Sequence, residues 1–103
     1  MMEVKINYSD YTLIPENLMV SIRLYVNEGR LFCGFLQSVF SNDLFAATAK
    51  ADDYNIKILP TYVKYIWNEL PQACHGSKEK IDQWLEKKRK EKEQDLEEIN
   101  HKH

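Results

Sequence analysis

Glycine and proline are scarce in this chain, with three of each among 103 residues. A β-sandwich or barrel needs a turn signal every ~8–12 positions, so that class is excluded and helices are expected. Cysteine is scarcer still. Cys33 and Cys74 lie far apart, outside any Cys-x-x-Cys pairing, and in a cytosolic protein such residues are reduced, partly buried thiols. Neither sign of charge dominates: 14 Lys and Arg stand against 16 Asp and Glu, for a net −2. This balance gives no general electrostatic footprint for nucleic acid. No apolar run approaches the ~20 residues of a membrane span. The stretch MMEVKINYSDY lacks the basic-then-apolar order of a secretory signal, and a cytoplasmic location is the expectation.

Hydrophobic residues make up 44% of the chain, enough for the core of one domain. Residues 1–14 alternate loosely through Val4, Ile6, Tyr8, Tyr11, Leu13 and Ile14. A lone strand needs a partner, so this segment is read as an extended arm. Pro15 suits a first helical position. Leu18, Met19, Ile22, Tyr25 and Val26 follow at three-four spacing, and Gly29 closes that helix over about 15–28. Phe35, Leu36, Val39 and Phe40 form one short apolar face. Ser41 and Asn42 are candidate N-caps, with Asp43 in the first turn of the helix carrying Leu44, Phe45, Thr48 and Ala49.

Asp52 is the next cap. Ile56, Leu59, Val63, Ile66, Trp67 and Leu70 are expected on one buried face, either bent at Pro60 or broken at Leu59, with Pro71 as the stop. Ser77 caps a last helix in which Ile81, Trp84 and Leu85 face inward. Beyond them EKKRKEKEQD contains no apolar residue. Those residues favour helix but have nothing to pack against, so the tail is expected to project. The fold expected is all-α: a compact four- to five-helix domain over 1–85, with a short extended N-terminal arm and a charged helical or disordered tail over 86–103.

Groups that carry chemistry are few. Asp43, Asp52 and Asp53 form no Asp-x-Asp-x-Asp-Gly cation loop. Cys74 and His75 are adjacent but lack the paired ligand spacings of a zinc site and an identifiable third group for a thiol nucleophile. NEGRLFCG lacks the spacing of a phosphate loop. No metal, cofactor or catalytic residue is assigned, and the chain is read as not an enzyme. The aromatics Tyr54, Tyr62 and Tyr65 fall off or at the border of the apolar face and are expected on an interaction surface. Trp67 and Trp84 are assigned to the core.

Three stretches, GFLQSVFSNDLFAATAKADDYN at 34–55, LPTYVKYIWNELP at 59–71 and CHGSKEKIDQWL at 74–85, carry a family resemblance. Their order of Gly-Phe-Leu, Asn-Asp-Leu, Ala-Asp and Gly-Ser resembles a family of small bacteriophage and prophage proteins. Cys33-Gly34 stands where relatives have a double glycine, and Lys78 where they have proline. The charged tail lies outside the likeness. The resemblance brings no assigned chemistry. It implies a phage-encoded, non-enzymatic binder that counters host defence or redirects host machinery, either as an oligomeric sponge for a nucleotide-type signal or as an inhibitor of a host protein. Asn42, Asp43, Asp52, His75 and Ser77 match the family's polar positions and are the ligand-binding candidates, with Arg30, Lys50 and Lys57 as sources of charge. The alternative is a nucleic-acid-associated regulator using the basic segment 87–92.

Overall fold

The computed structural model describes residues 5–101, with side-chain surroundings described to residue 96. Val4 of the arm, the side chains of Ile99 and His101, and His103 lie outside the described residues. Among those described, the protein is all-α, with six helices and no strand. They are α1 (Glu16–Glu28), α2 (Gly34–Phe40), α3 (Leu44–Lys50), α4 (Asp53–Lys57), α5 (Leu59–Glu69) and α6 (Lys78–His101), with single 3-10 turns at Tyr11–Leu13 and Gln72–Cys74.

The arm is not extended throughout. Asp10 accepts from the Thr12 N–H and closes the 3-10 turn over Tyr11–Leu13. The Tyr11 ring meets Tyr65 edge-on at 5.1 Å, and Asn68 donates to the Tyr11 hydroxyl at 3.3 Å. Pro15 is the N-cap of α1 rather than its first residue, and its carbonyl accepts from Leu18 and Met19. Met19, Ile22 and Tyr25 turn inward. Gly29 ends α1 at φ 69°, a left-handed conformation that glycine adopts without steric cost. A second reason for glycine there is close approach, since a Cβ would lie 2.5 Å from the Lys88 Cβ on α6.

The core forms where α1, α2, α5 and the start of α6 meet. Tyr25, Phe32 and Phe40 pack ring on ring, with centroids 4.3 to 5.3 Å apart. Two buried hydrogen bonds lock this cluster: the Tyr25 hydroxyl donates to the Cys74 carbonyl at 2.7 Å, and Trp84 Nε1 donates to the Tyr25 carbonyl at 3.2 Å. Both cysteines are free; Cys74 is buried, but Cys33 is exposed, contrary to expectation.

Segment 52–70 breaks at Ile58, with Pro60 near the start of α5 where its missing N–H is harmless. The break resets the helical phase. Ile58, Thr61, Tyr62 and Ile66 face the core, whereas Val63 is 53% and Trp67 71% exposed, so both leave the face assigned to them from spacing. Ile56 is also exposed. Beyond Leu85, α6 runs on into solvent, giving the molecule its 70 Å long axis. Arg89 bonds to Glu86 and Glu93 along its surface, and Lys88 lies 3.2 Å from Glu91.

Candidate functional site

The turn between α2 and α3 is built on Asn42. Its N–H bonds to the Val39 carbonyl and the Asp43 N–H to the Ser38 carbonyl, the paired bonds that stop a helix with one left-handed residue. Asn42 is that residue, at φ 63°, and asparagine tolerates the conformation better than other non-glycine residues. Asp43, not Ser41 or Asn42, is the N-cap of α3 and accepts from the Ala46 N–H at 3.1 Å.

The turn before α6 is tied to this one. The Gly76 N–H donates to the Phe40 carbonyl at 2.7 Å, pinning residues 75–77 to the end of α2. Gly76 sits at φ 119°, where only glycine is at ease. Between the two turns and α5 lies a groove of about 200 Å³. Val39, Val63, Ile66 and Trp67 make its apolar lining, and the polar residues Asn42 and His75 also line it. A shallower depression next to it shares Val39, Asn42 and Val63 and is rimmed by Leu44.

His75 is 9% exposed, and its Nε2 is buried with no hydrogen-bond partner. Burial, and after it the nearby Lys80 charge, holds the imidazole below its ordinary pKa, so it is neutral at pH 7 and offers one donor and one acceptor. The thiol of the neighbouring Cys74 is fully buried and pushed up to about 11. A protonated, inaccessible thiol is a poor nucleophile.

Of the five polar candidates, the structure brings Asn42 and His75 to this groove. Asp43 lines the adjoining depression but is occupied as a cap. Asp52 caps α4, accepting from the Asn55 N–H at 2.7 Å, and lines neither hollow. Ser77 caps α6 through the Lys80 N–H at 3.1 Å. Arg30 is within 3.5 Å of Glu28, and neither it nor Lys50 nor Lys57 lines the groove.

The tyrosine surface needs correction. Tyr62 is fully buried because its hydroxyl finds Asn55 Oδ1 at 2.7 Å, which removes the cost of enclosing it. Tyr65 is half-buried under Tyr11, and only Tyr54 remains substantially open, with its hydroxyl tied to the Leu13 carbonyl. The exposed aromatics that spacing missed are Trp67 and Phe45, the latter 89% exposed. Lys80 was also missed, although two lysines in the first turn of a helix are visible in the sequence as a departure from the dipole rule.

Comparison of the chain with protein-family models, curated proteins and solved structures finds no match.

Proposed function

We propose that this chain is a non-enzymatic binding protein, of the kind bacteriophages encode against host defence, and that it captures a small nucleotide-type ligand at the groove beneath Trp67. The observation that carries the reading is the exposed Trp67 indole on an apolar groove that is also lined by His75, whose buried Nε2 has no hydrogen-bond partner. An exposed indole offers a face on which a planar base stacks. A neutral imidazole offers hydrogen bonding to a base edge or a ribose hydroxyl.

Several features weigh against catalysis as the purpose of this surface. The groove contains no carboxylate and no accessible thiol. Among the described residues no three His, Cys, Asp or Glu side chains cluster as metal ligands. The groove is also smaller than the ~300 Å³ from which whole drug-sized ligands are usually enclosed. It suits one ring, with the rest of a ligand lying outside or against a second copy of the chain. A homo-oligomer in the host cytoplasm fits this reading, because Leu44, Phe45, Val63 and Trp67 leave apolar surface uncovered. No helix among the described residues is long and apolar enough to cross a membrane.

The nucleic-acid alternative gains less support. Arg89 and Lys88 are occupied by glutamates on their own helix, and Lys87 and Lys88 lie about 5 Å from the Trp84 ring centroid. Much of the charge of segment 87–92 is thus already answered. Calorimetry with a panel of cyclic and ADP-ribose-type nucleotides tests the proposal. Heat with at least one of them, lost in Trp67→Ala, is expected; no heat with any member of the panel removes it.

A further inference from the structure

We infer that the groove is one half of a two-part site, and that its other half, the first turn of α6 with Lys80, holds the anionic group of a nucleoside phosphate. The inference rests on the small-ligand reading above and adds which part of the ligand each half takes.

Four observations converge at the end of the groove where His75 and Gly76 stand. His75 is nine-tenths buried there, with Nε2 lacking a partner. Lys80 folds back over the turn, so that a Cβ placed on Gly76 would lie 3.4 Å from the Lys80 Nζ. Lys80 has no acidic partner within ion-pair distance among the described residues. α6 is a helix of 24 residues, and its N-terminal N–H groups carry partial positive charge.

Lysines at Lys78 and Lys80 run against that dipole. Only Glu79 in the same turn opposes them. The Ser77 hydroxyl accepts from the Lys80 N–H and leaves the amides of Lys78 and Glu79 to other acceptors. The helix dipole, an unanswered ammonium and a buried, unpartnered imidazole nitrogen therefore meet at one turn, and an anion there answers the dipole and the ammonium. A local rule broken with only one glutamate in compensation points to a ligand. Phosphate suits the position because it accepts from several donors at once, from amides and an ammonium alike.

The planar half is separate. Trp67, Val63 and Ile66 carry no charge and can hold only a ring. A ligand that satisfies both halves has a flat heteroaromatic group and a phosphate near it, which describes a nucleoside monophosphate unit, free or within a cyclic or dinucleotide. Inorganic phosphate alone satisfies one half, and a nucleoside the other.

The test uses the full chain and titrates AMP, GMP, adenosine, guanosine and inorganic phosphate by calorimetry, with the His75 ring followed by NMR. The expected result is that one nucleotide binds roughly tenfold or more tightly than its nucleoside, as charge-assisted hydrogen bonds to phosphate predict. Lys80→Gln removes that margin and leaves nucleoside affinity unchanged. Trp67→Ala weakens nucleotide and nucleoside alike, and the His75 resonances shift on nucleotide binding. If a nucleoside binds as tightly as its nucleotide, or Lys80→Gln changes nothing, the anion half is wrong while ring capture stands. If none of these ring-bearing probes binds, the two-part site falls, and if the cyclic and ADP-ribose-type nucleotides fail as well, ring capture falls with it. Phosphate binding with no preference for nucleotides marks an adventitious ion only and overturns the two-part site.

Discussion

Trp84 and Tyr25 are joined through the tyrosine's own backbone: the indole N–H donates to the Tyr25 carbonyl at 3.2 Å. The Tyr25 hydroxyl in turn donates to the Cys74 carbonyl at 2.7 Å. One residue of α1 thus fixes both the start of α6 and the turn that carries His75. Tyr25→Phe removes the second bond and leaves a buried carbonyl unsatisfied. The expected cost is about 1–3 kcal/mol, read as a lower urea midpoint at unchanged slope. The variant should also loosen the 74–76 turn, measured as faster amide exchange at Gly76.

The same buried groups set the pH limits of the fold. Burial pushes the Cys74 thiol up to about 11 and also raises the Tyr25 and Tyr62 phenols. Their folded pKa values lie above the unfolded ones, so their contribution is fully present below the unfolded thiol value near 9. It is lost as pH rises through the folded values. A thiol shift of this size is worth ~3 kcal/mol. On the acid side, the lowered His75 pKa has the opposite sign: stability holds above the ordinary ~6.5 of histidine and declines as pH falls through the folded value. Urea midpoints measured from pH 5 to 11 should therefore form a plateau between about 7 and 9. A flat curve from 9 to 11 contradicts the alkaline assignment, and an unchanged acid limb in His75→Gln contradicts the other.

Thr61 is fully enclosed, and its Oγ1 has no partner. A helical threonine can often bond back to a carbonyl one turn earlier, but here that turn is the irregular junction at Ile58. Thr61→Val keeps the shape and removes the unsatisfied hydroxyl. We expect a gain of about 1 kcal/mol, seen as a higher melting temperature, with binding at the groove unaltered. A loss of stability would mean that the hydroxyl is satisfied in solution.

How far the sequence discloses this molecule depends on whether a feature is local. Helix ends are local: Gly29 as the left-handed stop, Asp52 and Ser77 as caps and Pro71 after α5 are all legible from residue type. The inward face of α5 is not. Hydropathy favours Val63 and Trp67 over Thr61 and Tyr62, yet burial goes to the latter pair because Asn55 satisfies the Tyr62 hydroxyl from the preceding helix. That partner becomes visible only once the break at Ile58 fixes the phase. The groove is a long-range object too. Asn42 and His75 each stand out in the sequence only as single polar residues, and the bond from Gly76 to Phe40 is what brings their turns together.

The two tryptophans separate folding from binding. Trp84 is buried, bonded to Tyr25 and flanked by Lys87 and Lys88, whereas Trp67 is 71% exposed. Trp84→Ala should cost about 3–5 kcal/mol, enough to unfold a small domain of ordinary stability. Trp67→Ala should change stability by no more than about 0.5 kcal/mol, the range of surface substitutions. In the wild type, acrylamide should quench one tryptophan component readily and the other hardly at all, and Trp67→Phe should abolish the accessible one. A bound planar ligand should then protect that same component from quenching. If Trp67→Ala instead melts the protein, the indole is holding the fold together, through a second copy or otherwise, and its availability to a ligand is disproved.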